Sequence, residues 1–322
     1  MDEFELIRQY FTRASAGSGV RVGVGDDGAV MRPEEGRDLV AVVDTLVEGV
    51  HYPENLSATD IGYRAVAVNL SDIAAMAGRP RWMTLALTLR VADRHWLADF
   101  SKGLFTAADE HGVSLVGGDT TRGEQTVISV QITGDIDPDL VLTRSGAGPG
   151  DLIYVSGSPG DAAAGLHLLE KNSLGSESAR KLADKFRHPV ARIELAQKIA
   201  PLASAAIDVS DGLYADLQKL LLASSMSGQI ELNTLPLSAE ITAQFDSEAA
   251  RRFSLGGGDD YELCFTLAAE NEALLDDAIR GAGVNVTRIG IVDEGHGLAC
   301  TNNGIAFDYV DNGYLHFGGS GE

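Results

Sequence analysis

The stretch Leu39-Val40-Ala41-Val42-Val43-Asp44 reads as a buried strand that stops at a carboxylate. An unbroken apolar run of this length marks a strand covered by neighbours, and a carboxylate at its end is placed to line a crevice at the sheet edge. Downstream, Ser57 with Asp60 resembles a capping box, Ile61, Ala65 and Val68 recur at helical spacing, and Gly78 with Pro80 supplies a stop. These signals predict a helix of about four to five turns. Thr84 to Leu89 follows as an alternating strand carrying Leu85, Leu87 and Leu89. A second helix is predicted from Asp93 to His111, with Leu97, Phe100 and Leu104 on one face, and strands over Val113–Val116 and Thr126–Ile132.

The segment Ser145-Gly146-Ala147-Gly148-Pro149-Gly150 separates two well-patterned regions, so the expected domains are residues 1–146 and 147–322. Beyond it, strands are expected at Leu152–Val155, Ala203–Ile207 and near 229–232, 261–266 and 286–292. Helices are expected near 161–170, 190–200, 212–223 and 270–281. The fold class is α+β, a mixed α/β chain of two halves whose sheets need not be purely parallel.

The 322 residues carry 25 Lys plus Arg against 47 Asp plus Glu, a formal net charge of −22. Such a chain is repelled by phosphate backbones and anionic membranes, which excludes nucleic acid and lipid headgroups as partners and favours cations. Two cysteines, Cys264 and Cys300, are too few for a disulfide framework, and the acidic Met1-Asp2-Glu3-Phe4-Glu5 lacks the basic start of a signal peptide. A cytoplasmic location is the expectation.

Small residues beside carboxylates recur along the chain. Gly25-Asp26-Asp27-Gly28 completes a formal G-x-G-x-x-G with Gly23, but Met31-Arg32-Pro33 offers no following helix and two carboxylates would repel a pyrophosphate, so a dinucleotide site is rejected. Asp72 sits with Asn69 and Ser71, all weak helix formers, inside an otherwise good helix; local hydrogen bonding and a metal or phosphate site are both open there. Gly117-Gly118-Asp119-Thr120, Asp208-Val209-Ser210-Asp211-Gly212 and Gly257-Gly258-Asp259-Asp260 repeat the arrangement. One cluster reads as a turn. The whole set, under mutual repulsion, points to cations held by hard oxygens, for which Mg²⁺ with substrate phosphates is the usual answer, and hence to phosphoryl transfer. Arg122 and Arg144 are candidate phosphate contacts in this acidic setting, with a surface ion pair as the alternative for each. No P-loop, kinase catalytic loop or Asp-Phe-Gly is present. Asp135-Ile136-Asp137-Pro138-Asp139 fails the EF-hand pattern at Leu140 and Gly146 and reads as a solvated turn.

Taken in order, Gly25–Ala29, Asp44–His51, Asn69–Met76, Gly117–Thr120, Thr143–Gly146, Ser210–Leu213, Gly257–Leu263 and Gly313-Tyr314-Leu315-His316-Phe317 resemble the thiamine-monophosphate kinase family. That family lies within the superfamily of aminoimidazole ribonucleotide synthetase and selenophosphate synthetase. The resemblance implies ATP-dependent phosphorylation of thiamine monophosphate to thiamine pyrophosphate, in line and without a phosphoenzyme, with several Mg²⁺ ions. It implies Asp27, Asp44, Asp72, Asp119, Asp208 and Asp211 as metal ligands, with Asp27, Asp72, Asp119 and Asp211 central to catalysis. Gly118, Asp119, Arg144 and Ser210 would contact ATP, and His51, Glu262 and Tyr314 the thiamine monophosphate. It further implies an N-terminal mixed-sheet domain that dimerises, giving a homodimer, and a C-terminal α/β domain that completes an active-site groove. Val42 and Val43 stand where family members often carry Ser or Thr, so metal contacts there fall to backbone carbonyls or are lost. Asp259 stands where the family often has Glu. Two rivals differ in what they need: a selenophosphate synthetase wants an N-terminal reactive Cys, and none precedes Cys264, whereas a non-catalytic Mg²⁺ or nucleotide binder would turn over nothing.

Overall fold

A computed structural model describes residues 3–13 and 17–309. The chain divides into two compact units, Met1–Val141 and Leu142–Glu322. In the first, α1 (Glu3–Leu6) runs into a π-helical turn, Ile7–Phe11, and β1 (Val20–Val22) pairs antiparallel with β2 (Val30–Met31). The main sheet comprises β3 (Asp38–Val47), β4 (Arg79–Leu89), β5 (Ser114–Arg122) and β6 (Val127–Ile136), in the order β3-β6-β4-β5. β4 and β5 run parallel and the other pairs antiparallel, so the sheet is mixed, as expected.

Two helices pack together, α2 (Ala58–Ala75) and α3 (Arg94–Glu110), with α2 lying against this sheet. Ser57 Oγ accepts from the Asp60 N–H at 3.1 Å and Asp93 Oδ1 from the Trp96 N–H at 2.7 Å, each satisfying one donor that a helix start leaves free. The predicted faces hold: Ile61, Ala65, Val68, Leu97, Phe100 and Leu104 are all buried. The helices approach at glycines. A Cβ on Gly62 would lie 2.1 Å from the Phe100 carbonyl, and one on Gly103 1.8 Å from that of Thr59, so a larger residue at either point would drive the pair apart.

Three expectations need correcting here. Asp44 does not end its strand, because the β3–β6 ladder continues unbroken from Asp38↔Ile136 to Val47↔Val127, and a side chain on one face does not interrupt backbone pairing. Gly117-Gly118-Asp119 likewise lies inside β5, where Gly118 pairs with Leu85 of β4. Asp135 is not solvated: it is 1% exposed and held by Arg37 Nε at 3.1 Å and Arg81 Nε at 2.5 Å. Burial of a carboxylate is tolerable with such partners, and the pairs tie the loop before β3, through Arg37, and β4, through Arg81, to the end of β6.

The second unit is built on β7 (Leu152–Ser156), β8 (Ala203–Val209), β9 (Ser227–Glu231), β10 (Glu262–Leu267), β11 (Val286–Asp293), β12 (Gly297–Asn302) and β13 (Ile305–Phe307). Their order is β13-β12-β9-β11-β7-β10-β8, with β9–β12 parallel and the rest antiparallel. The helices are α4 (Asp161–Glu170), α5 (Glu177–Arg187), α6 (Ile193–Ile199), α7 (Leu213–Ala223), α8 (Ala239–Gln244), α9 (Ser247–Gly256) and α10 (Glu272–Ala278). Leu213, Leu217 and Leu220 of α7 pack with Ile153, Ile207 and Ile230 of the sheet, while Leu168, Leu182 and Ile241 form a separate helical cluster. No helix among the described residues is long and apolar enough to cross a membrane.

Candidate functional site

Within the first unit, Asp27, Gly118 and Asp119 line one cavity of about 400 Å³, whose apolar wall includes Phe11 and Leu85. The Asp26 carboxylate accepts from the Asp27 N–H at 2.9 Å, so the Asp-Asp turn is held by its own first residue. Gly118 is required by space: a Cβ there would fall 2.0 Å from the Leu85 carbonyl oxygen. Among the described residues, neither Asp27 nor Asp119 is in an ion pair.

Asp44 is tied to α2 through its backbone. Its N–H donates to Asn69 Oδ1 at 3.0 Å, while Asn69 Nδ2 donates to the Ala65 carbonyl at 3.0 Å. Asn69 is fully buried, so the local-hydrogen-bond reading of this weak helix former is correct for it. Asp72 lies one helical turn further along the same face, half-buried. His51 follows β3, and its Nδ1 accepts from the Val47 N–H at 3.0 Å, which fixes the ring.

In the second unit Asp208 lies within β8, 4% exposed and opposite Leu263 of β10. The turn that follows is organised by Asp216 in the first turn of α7. Its Oδ2 accepts from the N–H groups of Ser210, Asp211 and Gly212 at 2.9, 2.9 and 3.2 Å. Lys219 Nζ bridges Asp216 Oδ1 at 2.7 Å and Asp211 Oδ2 at 2.5 Å. Burial raises the pKa of Asp216, while Lys219 and the Asp211 N–H pull against it. The loop before β10 is laced to this turn by bonds from the Asp259 N–H to the Ser210 carbonyl and from the Tyr261 N–H to that of Val209, both 2.8 Å. Asp259 and Tyr261 adopt φ of +69° and +53°, a left-handed conformation that costs non-glycine residues energy and concentrates at functional loops. Arg144 is exposed, with its carbonyl accepting from Ser224 Oγ at 3.0 Å.

Glu262 lines a polar cavity and is held by the chain's own donors. It is 5% exposed, its two oxygens are engaged bidentately by the Arg192 guanidinium, and Ser156 Oγ donates to it at 2.5 Å. Its neighbour Asp260 caps α4, accepting from the Gly160 and Ala162 N–H groups at 2.6 and 3.0 Å, and burial pushes its pKa well up. Tyr314 lies outside the described residues.

Among the described residues, no group of three or more His, Cys, Asp or Glu side chains is arranged to hold a metal by itself. The carboxylates come together in smaller sets: Asp27 with Asp119 on one cavity, Asp44 near the Asp72 face of α2, and Asp208 at the end of β8 with Asp211 on the turn that follows it. Sequence reasoning missed Asp216, Lys219 and Arg192. An acidic residue in the first turn of a helix that follows Ser-Asp-Gly was a readable signal for Asp216, whereas Arg192 is defined by a partner 70 residues away.

Residues 25–136 match the model of the AIR synthase related protein, N-terminal domain, and residues 148–301 that of its C-terminal domain. The chain is 42% identical over 319 residues to a thiamine-monophosphate kinase of Salmonella typhimurium, covering 98% of each. The crystal structure of thiamine-monophosphate kinase from Stenotrophomonas maltophilia K279a superposes with a TM-score of 0.84 at 39% identity, covering 90% of this chain and 93% of that one. A solved structure of AaThiL complexed with AMPPCP and TMP gives 0.79 at 29% identity, covering 98% and 96%. With both halves matched in order along nearly its full length, the chain is a kinase and belongs to the thiamine-monophosphate kinase family.

Proposed function

We propose that the chain transfers the γ-phosphoryl group of ATP to the phosphate of thiamine monophosphate, yielding thiamine pyrophosphate and ADP by direct in-line attack. The observation that carries this reading is the glycine-walled cavity bearing Asp27 and Asp119, in a chain similar over 98% of its length to a protein complexed with AMPPCP and TMP. Gly117 and Gly118 line this cavity, and the open space where a Gly117 side chain would stand lets a phosphate chain approach the β5 backbone, while the exposed Arg144 guanidinium is a suitable phosphate partner. His51, its ring fixed through Nδ1, would contact the acceptor. A cavity of about 1070 Å³ in the second unit, walled by Phe253 and Tyr309 beside Gly256–Gly258, suits a flat cationic ring system.

The donor set fits Mg²⁺ because every assigned ligand is a hard carboxylate oxygen. Asp27, Asp44, Asp72 and Asp119 would hold ions in the first unit, and Asp208 and Asp211 in the second. The small size of each carboxylate set leaves coordination positions for phosphate and water oxygens. When bound, Mg²⁺ neutralises the charge of the β and γ oxygens. The outward Leu39 and Val43 of β3, 56% and 62% exposed, favour a homodimer in which a second copy covers this apolar face.

The test is a product assay with ATP, Mg²⁺ and thiamine monophosphate, following thiamine pyrophosphate by chromatography, with EDTA and free-thiamine controls. Metal-dependent product from the monophosphate alone is the expected result. ATP binding without product would remove the substrate assignment.

A further inference from the structure

Three successive backbone N–H groups converging on one point, at the start of a helix, form a concavity that ordinarily takes a phosphate oxygen. At Ser210-Asp211-Gly212 that concavity is already filled by the chain's own Asp216, which is 1% exposed. The turn therefore has no free N–H to give a phosphate. What it presents outward is the Asp211 carboxylate, and Lys219 lies on that carboxylate at 2.5 Å while anchored to Asp216 at 2.7 Å. Lys219 and Asp211 are 42% and 38% exposed, so the ammonium can give up Asp211 to solvent or an ion and stay on Asp216, whose buried charge keeps its partner.

We propose that Lys219 is a resident counter-ion of Asp211, which a divalent cation must displace, so that Lys219 sets the metal affinity of this carboxylate while Asp216 keeps the turn in shape. The inference rests on the proposed role of Asp211 as a Mg²⁺ ligand. An ammonium and a Mg²⁺ ion compete for the same oxygen, and only the lysine is tethered. The metal-free protein thus holds its turn closed without an ion.

The experiment measures Mg²⁺ binding to the full chain by calorimetry and by the rise of the unfolding midpoint with MgCl₂, with and without a non-hydrolysable ATP analogue. It compares the native protein with Lys219→Met, Lys219→Gln, Lys219→Arg and Asp211→Asn. Lys219→Met is expected to lower the half-saturating Mg²⁺ concentration about fivefold, the size of a partly exposed ion pair. Lys219→Gln, which can still donate to Asp216, is expected to do the same if the Met variant folds poorly. Lys219→Arg restores the native value, and Lys219→Met adds nothing in an Asp211→Asn background. Native half-saturation in both neutral variants, alongside weakened binding in Asp211→Asn, would overturn the counter-ion role and leave Asp211 a ligand. Unchanged Mg²⁺ binding in Asp211→Asn would remove the ligand assignment itself, and the inference with it.

Discussion

The two units use the same sequence signal, an acid beside glycine, to opposite physical ends. In the first, Asp27 and Asp119 face a cavity of about 400 Å³ and neither is in an ion pair among the described residues. In the second, the buried Asp216 and Glu262 and the half-buried Asp260 are satisfied by the chain itself, through backbone N–H groups, Lys219 and Arg192. Carboxylates left facing a cavity serve a ligand at some cost to the fold, whereas carboxylates enclosed by donors serve the fold. The contrast predicts that equivalent-looking substitutions separate activity from stability.

The largest effect belongs to the cavity. Asp119→Asn removes a charge without removing volume, so phosphoryl transfer should fall by about two orders of magnitude or more. Thermal unfolding should stay at the native midpoint or rise, because repulsion with Asp27 is relieved. A variant that loses activity only by unfolding would erase the distinction between the units. Asp216→Ala should invert the pattern: three backbone donors and the Lys219 ammonium lose their acceptor at a position 1% exposed. A loss of about 3 kcal/mol by denaturant unfolding is expected. Between these lies Gly118→Ala, whose Cβ meets the Leu85 carbonyl at 2.0 Å. Forcing β4 from β5 should cost about 1–3 kcal/mol and activity together, since the strand carries Asp119.

The contrast also explains what was legible in the sequence. Periodicity and caps located α2 and α3 nearly to their ends, since Ser57 and Asp93 act locally and their helices bury one face. The order of acidic motifs identified the family. The alternation of small and acidic residues did not reveal that β3 and β5 run through Asp44 and Asp119, because strand continuity is decided by partners, β6 and β4, that lie far along the chain. The helices α5, α8 and α9 and the strands β12 and β13 were missed for a related reason. They are short or polar on most positions, and packing such as Leu182 against Ile241 selects them rather than propensity. The setting of Glu262 was not legible either, because a motif gives a residue's place in the chain but not the Arg192 that pairs with it.

The smallest effect tests whether the second unit's burial of acids carries a cost. Asp161 is 6% exposed, and its carboxyl is pushed up to about 6, mainly by burial, although Ser238 Oγ donates to it at 2.6 Å and Lys185 attracts it. A carboxyl whose folded pKa exceeds its unfolded value of 3.8 favours folding in its protonated form. Its contribution is therefore fully present below about pH 4 and is lost as pH rises through about 6. Asp161→Asn keeps an acceptor for Ser238 and removes the charge. The variant should be more stable than the native protein by about 1–2 kcal/mol at pH 8, with the difference vanishing near pH 4. Denaturant unfolding at both pH values reads this directly. A variant less stable at pH 8 would mean that Lys185 and the start of α4 need the negative charge, and that the enclosed carboxylates stabilise the second unit as ions.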